Sequence, residues 1–273
     1  MARADLHIHS TASDGILTPT EIVERAASIG LAAVALADHD TVNGVAEALA
    51  AGEKYGVEVV PALEINTDYN RDEIHILGYF IDWQCERLQK RLAALREGRL
   101  ERARKIVKKL RTLGVPVTIE RVMEIAGSGA VGRPHVARAI IETGIVRSMN
   151  SAFGRYLIRG GPAYVERVKM APNDAVSVIV DSGGTACLAH PSKSKQDEII
   201  PSLIKNGMQA IEVYHTDHSP NFVRRYEAVA RKFGLIATGG SDSHGGDIGG
   251  SEIGSVTVDA GVVEQLRAAA SHY

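Results

Sequence analysis

Ten histidines stand in a chain of 273 residues, and several of them keep acidic company at short fixed spacings. His7-Ile8-His9 sets two imidazoles two residues apart, and Asp242-Ser243-His244 repeats the device with a carboxylate and an imidazole. Positions i and i+2 of an extended strand share a face, so each pair presents two ligand-type groups side by side. His39 lies within Asp38-His39-Asp40, Glu64 follows Val57–Pro61, His75 sits in the apolar run from Ile74 to Phe80, and His190 ends Ala186–His190. A lone H-x-H arises easily from chance alternation, but structural histidines do not choose such places repeatedly. Imidazole and carboxylate donors without thiolate suit Mn, Fe or Zn rather than calcium. Such ions lower the pKa of bound water and hold phosphoryl oxygens. The residues thus point to a multinuclear metal centre. Glu212 and His215 are expected to line it, Asp38 and Asp40 to support it from behind, His218 is a weaker candidate, and His272 belongs to the tail.

The elements that must position these groups read as strands alternating with helices. Asp5–His9, Ala32–Ala37, Val57–Pro61 and Ile74–Phe80 are strand candidates. Thr18-Pro19-Thr20-Glu21 is a capping box with proline at the first helical position, opening a helix to Gly30, and a second helix runs from about Gly44 to Tyr55. From Trp83 the period becomes helical, with Leu88, Leu92, Leu95, Ala103, Ile106 and Leu110 recurring, and helices continue to about Val168. The alternation resumes with strands Thr185–Ala189, Ala210–Tyr214, Leu235–Gly239 and Gly254–Val258. A barrel-like α/β domain with an all-helical insert follows. Strand C-termini converge on one face of such a barrel, where the histidines and carboxylates would meet.

Composition sets bounds rather than roles. Hydrophobic residues make up 45% and charged residues 23%, with a net charge of −2, which excludes disorder, collagen and coiled coil. No apolar run reaches the ~20 residues of a membrane helix, and Met1–Asp5 lacks a leader's apolar stretch. Two cysteines, Cys85 and Cys187, form no C-x-x-C pair, so a reduced, cytoplasmic protein is expected. Between Arg87 and Arg111 eleven Lys/Arg face two Glu, a local charge of +9 that is either a solvated helix face or an attractor of polyanions. Gly127–Gly132 spells G-x-G-x-x-G, but Val122–Ile125 before it is helix-like where a dinucleotide fold needs a strand, and position 153 lies near no acidic residue. The run leads instead into Arg133-Pro134-His135, either an ordinary helix cap or a phosphate site at a helix N-terminus.

Taken in order, His7-Ile8-His9, Ser13–Pro19, Ala37–Asp40, Glu64, His75, Ala189-His190-Pro191 and Gly240–Gly245 resemble the motifs of the polymerase and histidinol phosphatase (PHP) superfamily along essentially the whole chain. Gly132–Arg138 and Pro162-Ala163-Tyr164-Val165 resemble a narrower branch. That branch holds nucleotide phosphatases acting on AMP or nucleoside 3′,5′-bisphosphates, and the 5′-to-3′ exoribonuclease RNase AM. The resemblance implies an α/β fold: a distorted seven-stranded (β/α) PHP barrel from residues 1–82 and 169–273, with a small all-helical domain, 83–168, inserted over the active site. It implies two or three divalent ions (Mn, Fe or Zn). His7, His9, Glu64 and Asp242 would hold the first, Glu64, His75 and His190 the second, and Asp14, His39 and His244 the third. The implied activity is phosphoesterase, with a hydroxide on the ions attacking phosphorus in line. Arg133 and His135 would orient the phosphate, with Glu212 and His215 also facing substrate. The expected partners are a nucleotide or short RNA and the phosphate product, with no membrane and no obligate protein partner. Relatives of the branch often carry Lys where this chain has Gly161, which puts recognition of a second phosphate in question and leaves open whether Arg159 substitutes. Two rivals are weighed against this. Amidohydrolase barrels also open with H-x-H but commonly bridge two metals with a modified Lys, and residues 57–80 contain none. A silent scaffold module would show broken ligand positions, and none of the nine is replaced.

Overall fold

The computed structural model describes residues 2–70, 72–166, 170–246 and 251–271. His272 and the expected end of the insert at 168 lie outside the described residues. Its strands are β1 (Arg3–Ile8), β2 (Ala33–Leu36), β3 (Glu58–Tyr69), β4 (Asp72–Tyr79), β5 (Thr185–Leu188), β6 (Ala210–His215), β7 (Ile236–Gly240) and β8 (Val258–Asp259). They form one sheet in the order β7-β6-β5-β4-β3-β2-β1-β8. Past β7 the chain bridges back to β1, where Ser243 pairs with Ile8 and its carbonyl accepts the His9 N–H at 2.9 Å. The sheet is thereby nearly closed into the α/β barrel that the resemblance implies. Seven strands build its wall, and β8 adds a two-residue antiparallel edge to β1. The strand expected over 254–258 shrinks to this stub because Gly254, at φ 79°, turns the chain just before it.

The parallel rhythm holds for β1-β2-β3 and for β5-β6-β7. It breaks at β4, which runs antiparallel to both β3 and β5. Only two residues separate β3 from β4, and so short a connection cannot join parallel strands. The sequence predicts a strand ending at Pro61, which leaves Glu64, Asn66 and Asp68 outside it. They instead alternate along one face of a twelve-residue strand.

Helices α1 (Pro19–Ser28) and α2 (Val45–Tyr55) cover β2 and β3 through Ile22, Val23, Ala48 and Ala51. The Thr18–Glu21 capping box forms as the sequence predicts. Between β4 and β5 lie α3 (Glu86–Thr112), α4 (Ile119–Ala126), α5 (Arg133–Glu142), α6 (Met149–Ala152), a π turn (Phe153–Leu157) and α7 (Pro172–Asp181). Leu110, Val122, Val136, Ile140 and Leu157 give α3 to the π turn a core cluster of their own, whereas Val176 and Ile179 of α7 pack into the barrel's. After β5 come α8 (Ile200–Lys205), α9 (Pro220–Phe233) and α10 (Gly261–Ala269). Val263 and Leu266 of α10 cluster with Ala62, Leu77, Cys187 and Ala210. Two residues further along the same faces of β3, β4 and β6 stand Glu64, His75 and Glu212, so a polar layer sits directly on an apolar one. Among the described residues no helix is long and apolar enough to cross a membrane.

Candidate metal centre

One carboxylate organises the polar layer. Glu64, fully buried on β3, has oxygens 2.8 Å from His39 Nδ1, 2.9 Å from His75 Nδ1, 3.0 Å from His190 Nε2, 3.5 Å from His9 Nε2 and 3.6 Å from His7 Nε2. Those imidazoles come from β1, the ends of β2 and β5, and β4. On one side Asp242 Oδ1 lies 3.1 Å from His9 and 3.5 Å from His7; on the other, Asp14 Oδ1 lies 3.4 Å from His244. All nine ligand positions expected from the sequence therefore converge. They form overlapping groups: His7, His190 and Asp242; His7, His9 and Glu64; His39, Glu64 and His75; and His9, Asp14, His39 and His244. His9 joins the last group as well as the first-metal set in which the sequence placed it.

The donor set fits divalent ions. His7 Nε2, both His9 nitrogens, Asp14 Oδ1, His39 Nδ1 and Glu64 Oε2 are buried without a hydrogen-bond partner. Leaving several such atoms unsatisfied side by side is costly unless a ligand takes their lone pairs. Charge tells the same story. Burial raises the carboxyl pKa values of Glu64, Asp14 and Asp242, yet the surrounding imidazoles outweigh it and hold all three well below the carboxylate range. Burial opposes a charged His7 and a charged His244, but Glu212, Asp242 and Glu64 hold His7 well above its ordinary value, and Asp14 holds His244 up at about 9. Burial, with His244 and His39 adjacent, drives His9 down to about 3. The clustered carboxylates favour positive charge on the atoms around them, and divalent ions binding there would compete with protons.

A further layer fixes these side chains. His7 Nδ1 donates to Glu212 Oε1 at 2.9 Å, which aims Nε2 at the centre, and the His190 N–H donates to Glu212 Oε2 at 2.7 Å. Glu212 thus stands behind the ligands instead of lining the pocket as expected; burial would raise its carboxyl, but His7 brings it down to about 2. His215 is also buried, with Nε2 3.2 Å from Asp242 Oδ2 and Nδ1 accepting the Asp217 N–H. Asp38 accepts from the Ser10 N–H and from the Ser10 and Ser13 hydroxyls, tying down the loop that carries Asp14. Asp5, raised to about 6 by burial, accepts the N–H groups of Ser241 and Gly254 and so anchors the loop of Asp242. His218 donates from Nδ1 to the Val213 carbonyl at 2.7 Å and lies outside the cluster. Asp40, His190 and Asp242 adopt φ of 53°, 25° and 53°, backbone strain of the kind concentrated at functional sites. A Cβ on Gly240 would stand 2.4 Å from the His7 nitrogen, so glycine there lets β7 close against β1.

Three contributors escaped the sequence reading. Lys193 Nζ lies 2.9 Å from Asp242 Oδ2. Arg99 of α3 donates to Asp40 Oδ2 and to Asn66 Oδ1, and Asn66 Nδ2 meets His75 Nε2 at 2.8 Å, so a helix of the inserted segment steadies a ligand on β4. No local motif marks these residues; only the polar alternation Glu64, Asn66, Asp68 hints at Asn66.

Beside the centre, between β3–β4 and the inserted helices, a cavity of about 140 Å³ is lined by Asp14, His39, His75, Arg99, Arg133 and Phe153, among others. Arg133 stands at its wall, bonded through one nitrogen to both Glu73 oxygens at 2.9 Å and 5.8 Å from the Phe153 ring centroid. His135 is buried and does not line the cavity. Its Nδ1 accepts the Gly132 N–H, capping α5, and burial lowers it to about 4. The glycine run before it docks the insert on the Asp14 loop. A Cβ on Gly129 would meet the Thr11 carbonyl at 2.6 Å, Ala130 N–H bonds Ala12, and Arg138 reaches the Asp14 carbonyl. Arg159 pairs with Glu166 at the surface, and a Cβ on Gly161 would sit 2.8 Å from two carbonyl oxygens, so that turn excludes Lys.

Residues 5–116 match the PHP domain model. The chain is 38% identical over 260 residues to the 3′,5′-nucleoside bisphosphate phosphatase of Chromobacterium violaceum, covering 93% of this chain and 91% of that protein. It is 36% identical over 247 residues to the 5′-3′ exoribonuclease Rnm of Escherichia coli, covering 88% and 84%. Among solved structures, an amidohydrolase from Chromobacterium violaceum with bound sulfate and no metal superposes with a TM-score of 0.88 at 34% identity, covering 98% of this chain and 97% of that one.

Proposed function

The chain belongs to the PHP-domain family, and from that premise we propose that it is a metal-dependent phosphoesterase hydrolysing nucleotide phosphomonoesters. The observation that carries this reading is Glu64 standing within 3.6 Å of five imidazoles, with Asp14 and Asp242 on either side. Two or three Mn, Fe or Zn ions fit His7, His9, Glu64 and Asp242, then His75 and His190, then Asp14, His39 and His244. When bound, such ions activate water and neutralise phosphoryl oxygens.

The chain's own residues do the rest. Glu212 and His215 hold the ligand rings and Asp242 in place. Arg133 waits at the cavity wall, where an arriving phosphate competes with Glu73 for its fork. Phe153 offers a flat apolar surface beside it. Relatives named for nucleoside 3′,5′-bisphosphates and for 5′-3′ exoribonuclease activity support bisphosphates and RNA as substrates, and AMP is proposed beside them as the simplest nucleotide monoester. The amidohydrolase alternative finds no support in the bridging place. Neither β3 nor β4 contains a lysine, and Glu64 occupies that position.

The test is direct. Mn-loaded protein is incubated with AMP, adenosine 3′,5′-bisphosphate and a 5′-phosphorylated oligoribonucleotide, with His9→Ala as control. Phosphate or mononucleotide release from at least one, lost in the control, is the expected result. No release from a metal-filled protein overturns the assignment.

A further inference from the structure

The eleven cations of residues 87–111 all lie on α3, and the metal centre does not use most of them. Arg99 is engaged with Asp40 and Asn66, and Arg102 reaches the Val165 carbonyl. Arg87, Arg91, Leu95, Gly98 and Arg102 follow one another by four, four, three and four residues, which places them on a single stripe. Leu95, Gly98 and Arg102 line the cavity beside the metal centre. Arg87, Lys90, Arg91 and Ala94 line a second groove, of about 520 Å³, between α3 and α7. Ala94 and Gly98 are four residues apart, so the two linings come within about 6 Å of each other along the axis of α3.

Their sizes are complementary. At about 140 Å³ the cavity beside the centre is small. Ligand pockets start at roughly 300 Å³. A nucleotide whose phosphate reaches the centre must therefore leave part of itself outside, and the groove is the adjoining concave surface along the stripe. Asp174 and Asp181 of α7 also line the groove. Asp181 pairs with Arg87 at 3.0 Å, but both side chains are well exposed, and such pairs exchange readily for a better anion. Arg91 has no carboxylate partner among the described residues.

We infer that this groove carries the 3′ side of a single-stranded oligonucleotide whose 5′ phosphate enters the metal centre, with backbone phosphates on Arg87, Lys90 and Arg91. The inference rests on the nucleotide phosphoesterase reading. AMP has no further backbone phosphate to place on these cations, so only longer substrates gain from them. Each phosphate neutralised on a single strand adds about 0.7 to the salt slope of binding, so the groove contributes about 2.

The test compares Mn-loaded wild type with Arg87→Glu/Arg91→Glu and with Lys108→Glu/Arg111→Glu. The second double makes the same charge change on another flank of α3, where Lys108 and Arg111 border α4. kcat/KM is measured for AMP and for a 5′-phosphorylated hexaribonucleotide over a range of salt. The expected result is a roughly tenfold or greater loss for the hexamer in the first double, with its salt slope reduced by about 1.4. AMP turnover stays unchanged and so reports folding, and the second double behaves as wild type. The milder Arg91→Gln moves the hexamer in the same direction with about half the slope change. Equal hexamer losses in both doubles, or none in the first, overturn the inference. Turnover of AMP but not of the hexamer by wild type overturns it too. Turnover of neither substrate instead fells the phosphoesterase reading on which it stands.

Discussion

Glu212→Gln separates the role of the layer behind the proposed metal ligands from that of those ligands themselves. Glu212 accepts two N–H groups, from His7 Nδ1 at 2.9 Å and from the His190 backbone at 2.7 Å, in a fully buried place. Glutamine has the same shape but one acceptor oxygen, so one of the two donors faces an NH₂ group. An unsatisfied buried donor costs about 1–3 kcal/mol. At roughly 2–4 °C per kcal/mol for a chain of this order, the metal-free melting temperature should fall by about 2–12 °C. His7 also loses the partner that fixes its ring and tautomer. Removing such a partner typically weakens metal affinity 10–100-fold, or about 1.4–2.7 kcal/mol. Calorimetric titration of the metal-free variant with Mn reads the second quantity and a thermal melt the first. A variant that melts lower but binds Mn within twofold of wild type would refute the reasoning, since Glu212 would then hold up the fold without orienting His7.

Other perturbations follow from the same contacts. Gly240→Ala forces a methyl to within 2.4 Å of the His7 backbone nitrogen, so β7 must move away from β1. A lowered melting temperature together with reduced Mn stoichiometry is expected, and retention of both at wild-type values contradicts the close approach. Arg99→Ala removes the support of Asp40 and, through Asn66, of His75. Equilibrium dialysis should show weakened Mn binding at part of the centre, and Arg99→Lys should not restore it because a lysine lacks the fork that reaches both partners. Chelation should lower the melting temperature reversibly. Mn restored to about a hundred times its Kd adds about 2.7 kcal/mol, and an unchanged melt after chelation counts against a metal-bearing core.

The donors of the centre were legible because the chemistry is confined to a few residue types, and strand periodicity brings i and i+2 to one face. His7 with His9 declared themselves this way, whereas Asp242 and His244 kept the spacing but lie past β7 in a turn where Asp242 takes φ 53°. Glu64 was visible as a residue but misplaced in structure: a strand of parallel type was expected to end at Pro61, whereas β3 runs on to Tyr69 and turns into an antiparallel hairpin. The polar face of β3 looks like a loop because the site, not solvent, receives it. Arg99, Asn66 and Lys193 were illegible for another reason. Their roles arise from contacts between segments far apart in the chain, for which local sequence carries no mark. Glu212 and His215 were noticed, but sequence could not tell a side chain facing substrate from one standing behind a ligand.

The central claim is that the carboxylate shared by five imidazoles makes a metal centre that cleaves phosphate esters. It is tested most directly by measuring metal content and phosphate release from AMP on the same preparations of wild type and Glu64→Gln. Wild type should carry at least two transition-metal ions per chain and lose turnover when they are removed. Glu64→Gln should retain its fold by circular dichroism while losing most of both metal and turnover. Full turnover by metal-free wild type, or a Glu64→Gln protein that holds the full complement of metal and remains active, would contradict the account.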